Sequence, residues 1–256
     1  MNLLDVQSIT MQFGGLKAVD SLSFCIKQSE LIGLIGPNGA GKTTVFNMLT
    51  GVYKPTSGHV LFSGQNISSL KPYQISGLGI TRTFQNIRLF KELSVLDNVM
   101  VGGSQHLTYG LFSSVFMTSR FLSEESELQE KSLRLLSIFD LDKKAQDTAG
   151  SLPYGEQRKL EIIRALATNP KLICLDEPAA GMNHQETHSL METIAKIRKD
   201  FNLTVLLIEH DMKLVMGICE RIIVLDHGVK IEEGVPLQIQ NSKKVIEAYL
   251  GIEEVH

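Results

Sequence analysis

The chain has 256 residues, 43% of them hydrophobic and 21% charged, which suits one large globular domain or a domain with a subdomain. Its net charge of −3 leaves no basic footprint for nucleic acid, and no apolar run approaches the roughly 20 residues that a membrane-spanning helix needs. No basic stretch followed by a long apolar core opens the chain, so no signal peptide is expected, and three scattered cysteines (Cys25, Cys174, Cys219) read as thiols of a reducing compartment without metal-ligand spacing.

In chain order, residues 4–9 partly alternate, Gly14-Gly15 breaks the pattern, and residues 19–26 resume it with Leu22, Phe24 and Ile26 on one face. A small antiparallel region is predicted there. The apolar run 31–35 reads as a strand and 45–49 as a helix. A turn at 55–58, strand 59–62 and a second turn at Ser63-Gly64 add a hairpin. Residues 75–80 look like a weak connection, and 81–85 like a short strand closed by Gln85. From 95 to 147 the period is helical, interrupted by Gly102-Gly103 and Ser113-Ser114. An all-helical insert is expected between two parts of an α/β core. Beyond it come an amphipathic helix (155–168), a strand buried on both faces (172–175), a helix (185–199) and a second buried strand (204–208). A short helix (213–219), a hairpin turning at 226–228 and a terminal helix (245–250) complete the pattern.

Between the strand at 31–35 and the helix at 45–49 lies Gly36-Pro37-Asn38-Gly39-Ala40-Gly41-Lys42-Thr43-Thr44, which fits the phosphate-binding spacing G-x-x-x-x-G-K-[ST]. Gly36, Gly39 and Gly41 allow positive φ and bring backbone N–H groups up to an anion. The following helix start adds partial positive charge. Lys42 reaches β- and γ-phosphates, and the Thr43 hydroxyl suits Mg²⁺. The chain is expected to bind a nucleoside triphosphate.

Residues 172–177 read L-I-C-L-D-E, a strand whose carboxyl end carries two acids. Such ends face the ligand in open α/β sheets. Asp176 is placed to hold Mg²⁺ and Glu177 to activate water. His210, at the end of the next buried strand, is either structural or a reader of the γ-phosphate. Gln85 can join the Mg²⁺ and water shell, although alone it says nothing. Phe13, just before the Gly-Gly turn, is either an adenine-stacking ring or a core or hairpin aromatic. Pro153-Tyr154-Gly155-Glu156 opens an amphipathic helix and leaves backbone donors for an anion, either as a second phosphate contact used in trans or as a simple cap.

These motifs, in this order, resemble the nucleotide-binding subunits of ATP-binding cassette (ABC) transporters over nearly the whole chain. The resemblance implies a P-loop NTPase α/β fold with a mixed, largely parallel sheet, an N-terminal antiparallel β-subdomain and an all-helical insert. It places the core at 1–84 and 150–256, and the Gln loop with its helical subdomain at about 85–149. It implies ATP and Mg²⁺ as ligands. Catalytic roles fall to Glu177, His210 and Gln85, metal contacts to Thr43, Gln85 and Asp176. Nucleotide contacts fall to Phe13, to residues 36–44 and, from a partner copy, to Tyr154, Gly155 and Glu156.

The signature segment departs from L-S-G-G-Q at Pro153, Tyr154 and Glu156, and Asn183 stands where Asp is usual. With T-R-T-F-Q-N-I-R-L-F at 81–90 and the extended insert near 103–125, these departures resemble the LivG-type ATPases of branched-chain amino acid importers. Relatives serving urea or amide uptake share much of the pattern. The resemblance implies a second ATPase of LivF type or a homodimer, two membrane permeases, a periplasmic binding protein and a place on the cytoplasmic face of the inner membrane. A permease-independent ABC ATPase is the rival, disfavoured by a short insert without sustained heptads and by the negative charge. No N-K-x-D stretch for guanine occurs.

Overall fold

The computed structural model describes residues 2–250. The chain divides into two compact units, residues 1–82, 171–177 and 194–256 in the first and 83–170 and 178–193 in the second.

The first unit holds both sheets. β1 (Asn2–Phe13) and β2 (Leu16–Lys27) form a long hairpin, and β4 (Ser57–Phe62) with β5 (Gln65–Asn66) extends it into an antiparallel sheet ordered β2-β1-β4-β5. The second sheet runs β10-β9-β3-β8-β7-β6 and uses β3 (Leu31–Ile35), β6 (Ile80–Arg82), β7 (Leu172–Asp176), β8 (Thr204–Ile208), β9 (Arg221–Asp226) and β10 (Val229–Gly234). Only β10 is antiparallel to its neighbour. Every residue of β3, β7 and β8 is buried, as continuous apolar runs require in a parallel sheet covered on both faces. Helices α1 (Lys42–Leu49), α2 (Pro72–Leu78), α8 (Met212–Ile218), α9 (Pro236–Gln240) and α10 (Lys243–Leu250) complete this unit.

The second unit contains α3 (Val95–Gly103), α4 (Leu111–Val115), α5 (Ser119–Ile138), α6 (Tyr154–Ala167) and the start of α7 (His184–Asp200). The helical run does stop at Gly102 and Gly103, which are the last two residues of α3 and are followed by a 3₁₀ turn at Ser104–His106. A Cβ on Gly102 would sit 2.3 Å from the Arg164 carbonyl oxygen and one on Gly103 would sit 2.5 Å from Leu128 Cδ1. Their missing side chains let α3 approach α6 and α5. Asn98, fully buried, donates to the Phe90 and Ser94 carbonyls at 3.0 and 2.9 Å and accepts from the Phe90 amide at 3.0 Å, which fixes the loop ahead of α3.

Two local expectations are corrected. Residues 72–78 form helix α2, not a loose connection: Pro72 occupies its first turn and the Gln74 side chain accepts from the Lys71 amide at 2.9 Å. The following strand ends at Arg82, because β7 offers partners only to Ile80, Thr81 and Arg82. Gln85 therefore lies in a bend beyond the strand. No described helix is long and apolar enough to cross a membrane.

Candidate active site

The carboxyl ends of β3, β8 and β7, adjacent in the sheet, bring the loop at 36–44, Asp176, Glu177 and His210 together. After β3 the chain turns through residues 36–41 into α1, with φ of 151° at Gly36, 83° at Gly39 and 99° at Gly41. A side chain at Gly36 would place Cβ 2.0 Å from the Leu225 carbonyl oxygen, and one at Gly41 would place it 2.5 Å from that of Ala18. Gly39 has nothing within 4 Å of its would-be Cβ. The loop is thus locked from behind and open at its crest, where Asn38 and Gly39 are exposed.

Lys42 folds back into this loop. Its Nζ donates to the Gly36 and Pro37 carbonyls at 2.7 and 2.9 Å, and burial pushes its ammonium below the ordinary lysine value while Glu177 and Asp176 oppose that shift. Thr43 is exposed beside it and Thr44 half-buried. Asp176 is buried and ion-paired at 3.1 Å with Arg82, which also donates to Asn47 Oδ1 at 2.6 Å and Thr50 Oγ1 at 3.3 Å. Sequence reasoning assigned Arg82 no role. Its partners Asn47, Thr50 and Asp176 lie 32 to 94 positions away, so no local signal marks it.

Glu177 leaves β7 with φ of 48°, a left-handed backbone that costs roughly 1–3 kcal/mol for a residue other than glycine. Its amide donates to the Ile208 carbonyl at 2.9 Å, and its Oε2 lies 2.8 Å from His210 Nε2. His210 follows β8 in a bend, with its side chain 55% exposed. A carboxylate and an imidazole thus share one hydrogen bond at the mouth of a phosphate-type loop, one partner shielded and the other open to solvent.

Phe13 is not a core residue. It stands 43% exposed at the end of β1, its ring edge-on to Tyr53 at 5.3 Å. The neighbouring strand β2 abuts the phosphate-type loop through Ala18 and Val19.

Gln85, Tyr154, Gly155 and Glu156 belong to the second unit. Tyr154 begins α6 and is 47% exposed, and Glu156 binds Lys144 Nζ with both oxygens at 2.7 Å. Gln85 presents its carbonyl to Arg158, a buried cation paired with Glu161 that sequence reasoning also passed over. Burial pushes the Glu161 carboxyl up, against the opposing charge of Arg158. Asn183 caps α7: its Oδ1 accepts from the Glu186 amide at 2.9 Å, and its own amide donates to Glu186 at 3.0 Å.

Among the described residues, no group of three or more His, Cys, Asp or Glu side chains is arranged to hold a metal ion. Of the three residues expected to contact a metal, the first unit carries the Thr43 hydroxyl and the Asp176 carboxylate, while Gln85 belongs to the second. That set suits a hard divalent cation whose other ligands are water and phosphate oxygens.

Residues 19–180 match the family of ABC transporters, and residues 229–255 match a second family, the branched-chain amino acid ATP-binding cassette transporters. The chain belongs to the ABC transporter family. Over 97% of its length this ABC chain is 48% identical to the high-affinity branched-chain amino acid transport ATP-binding protein LivG of Escherichia coli K12, and the match covers 98% of that protein. It is 46% identical over the same share to BraF, of the same description, from Pseudomonas aeruginosa, again covering 98% of the relative. A crystal structure of a nucleotide-free ATP-binding cassette from an ABC transporter superposes with a TM-score of 0.85 at 32% identity, covering 99% of this chain and 100% of that one. The architecture is accordingly the P-loop NTPase fold of ABC cassettes.

Proposed function

We propose that this chain is the ATP-hydrolysing subunit of an ABC importer for branched-chain amino acids. The observation that carries the reading is the juxtaposition, on adjacent strand ends, of a phosphate-type loop with the Glu177–His210 pair. The names of the LivG and BraF relatives and the family match over residues 229–255 support the solute class.

In this reading the backbone amides of residues 36–44 and Lys42 hold the triphosphate, Thr43 and Asp176 hold Mg²⁺, and Phe13 stacks on the adenine. Held there, Mg²⁺ would supply positive charge against the phosphate oxygens. Glu177 takes the proton of the attacking water, and His210, hydrogen-bonded to it, keeps that carboxylate aimed and reads the γ-phosphate. Gln85 completes the water shell. The unit carrying both sheets is the catalytic core, and the helical unit carries the Gln85 loop and the Tyr154–Gly155–Glu156 turn, which covers the nucleotide of a second ATPase subunit. Closure of the pair drives two permeases served by a periplasmic binding protein, at the cytoplasmic face of the inner membrane.

The test uses the complete transporter in proteoliposomes, with radiolabelled leucine, isoleucine or valine against urea. Glu177→Gln is expected to bind ATP while hydrolysis and uptake fall by about 10²–10⁴, the usual worth of a general base. Normal turnover by Glu177→Gln removes the base from the mechanism, and uptake of urea in preference to leucine reassigns the solute.

A further inference from the structure

Three segments of the second unit converge on one guanidinium. Arg158, 1% exposed, donates through Nη1 to the Phe84 carbonyl at 2.8 Å and through Nη2 to the Gln85 carbonyl and, at 3.2 Å, to Tyr154 Oη. Glu161, one turn further along α6, accepts from Arg158 Nη1 at 3.2 Å, and its other oxygen accepts from the Arg88 amide at 3.3 Å. The Tyr154 ring, its centroid 5.6 Å from the guanidinium carbon, stands against the turn at 179–182. A Cβ on Gly181 would lie 2.8 Å from Tyr154 Cε1. One ion pair therefore grips the Gln85 loop by two carbonyls and an amide, while the aromatic ring at the head of α6 spans from that pair to the turn before α7.

Packing alone gives no reason for charge at this spot. An apolar pair of similar volume is commonly as stable as a buried ion pair, or more so. What an arginine adds is direction: a planar fork holds several acceptors in fixed geometry, which a methionine or lysine in the same space does not. Well-packed interiors pass displacement on instead of absorbing it.

We propose that Arg158, seated on Glu161 and faced by Tyr154, is a positioning residue that makes the Gln85 loop, the Tyr154–Gly155 turn and the Gly181 turn move as one block. A nucleotide engaged by one of the three is thereby reported to the other two. This rests on the ATPase reading above, which assigns those loops to nucleotide contacts.

The experiment compares Arg158→Lys with the Arg158→Met/Glu161→Leu pair in the complete transporter, alongside Lys42→Ala. Expected are nucleotide affinity of the isolated full-length chain within twofold of the unaltered protein and solute-stimulated ATP turnover at least tenfold lower. A defect of folding alone would lower the melting temperature and the bound fraction together, without that split. Stimulated turnover within twofold in either folded variant overturns the proposal. If Lys42→Ala still hydrolyses ATP, it is the ATPase reading that fails. Should neither Arg158 variant fold, amide exchange in the unaltered chain decides. Protection of the Arg88 amide equal to that of the α6 interior supports the clamp, and exchange as fast as in the exposed turn at Gly14-Gly15 overturns it.

Discussion

Replacing Arg82 by alanine removes the guanidinium that faces the buried carboxylate of Asp176. The two side chains are 8% and 3% exposed and 3.1 Å apart, so solvent screens the carboxylate poorly once its partner is lost. Its hydrogen bonds to Asp176, Asn47 and Thr50 vanish at once. Breaking one partner out of such a buried pair costs about 3–5 kcal/mol. At about 2–4 °C per kcal/mol for a domain near this size, the melting temperature should drop by roughly 6–20 °C. The assay is thermal unfolding by circular dichroism, with and without Mg²⁺ and ATP. A divalent cation held by Asp176 supplies the missing positive charge, so the ligand-induced rise in melting temperature should be larger in Arg82→Ala than in the unaltered chain. Adding Asp176→Asn should recover part of the loss, since the remaining side chain is then neutral. A drop of less than 2 °C would refute the reasoning, as would a double variant no more stable than Arg82→Ala.

The two glycines of the phosphate-type loop should behave differently. Gly36→Ala drives Cβ into the Leu225 carbonyl and should abolish soluble, folded protein, whereas Gly39→Ala meets no neighbour and carries only left-handed strain of roughly 1–2 kcal/mol. Similar melting temperatures for the two would contradict this. Glu30 predicts an acid limb. Burial raises its carboxyl, but the bidentate bond from Arg221 and the Lys27 amide outweigh that and hold it below the ordinary value of 4.5. A depressed carboxylate stabilises the fold above its unfolded value and loses that contribution as pH falls through the folded one. Stability, followed by thermal unfolding, should therefore fall on acidification from about pH 5, a slope that Glu30→Gln should flatten while lowering stability at neutral pH by about 1.5–3 kcal/mol. An unchanged acid slope in that variant would exclude Glu30 as its source.

Where function is written in consecutive residues, the chain alone was legible. The loop at 36–44 needs glycine, lysine and threonine at fixed offsets, and L-I-C-L-D-E needs an apolar run ending in acids, so both stand out in isolation. Local reading failed where a partner sets the boundary. Residues 81–85 look like a short strand, but pairing with β7 stops at Arg82 and leaves Gln85 in a bend. Gly102-Gly103 marks the end of α3 as the sequence suggests, but only the packing shows that the pair also lets α3 close on α6 and α5.

The sequence by itself determined the phosphate-type loop, the acids at the end of β7, the buried strands and the helical insert, because each rests on neighbouring residues and on one period of hydrophobicity. Only the tertiary structure decided the strand order that sets Lys42, Asp176, Glu177 and His210 side by side, and the buried cations Arg82 and Arg158. Those arginines look like ordinary surface charges in the sequence. Their acceptors lie 94 and 73 positions away, and a buried charge has meaning only once the fold brings its acceptors to it.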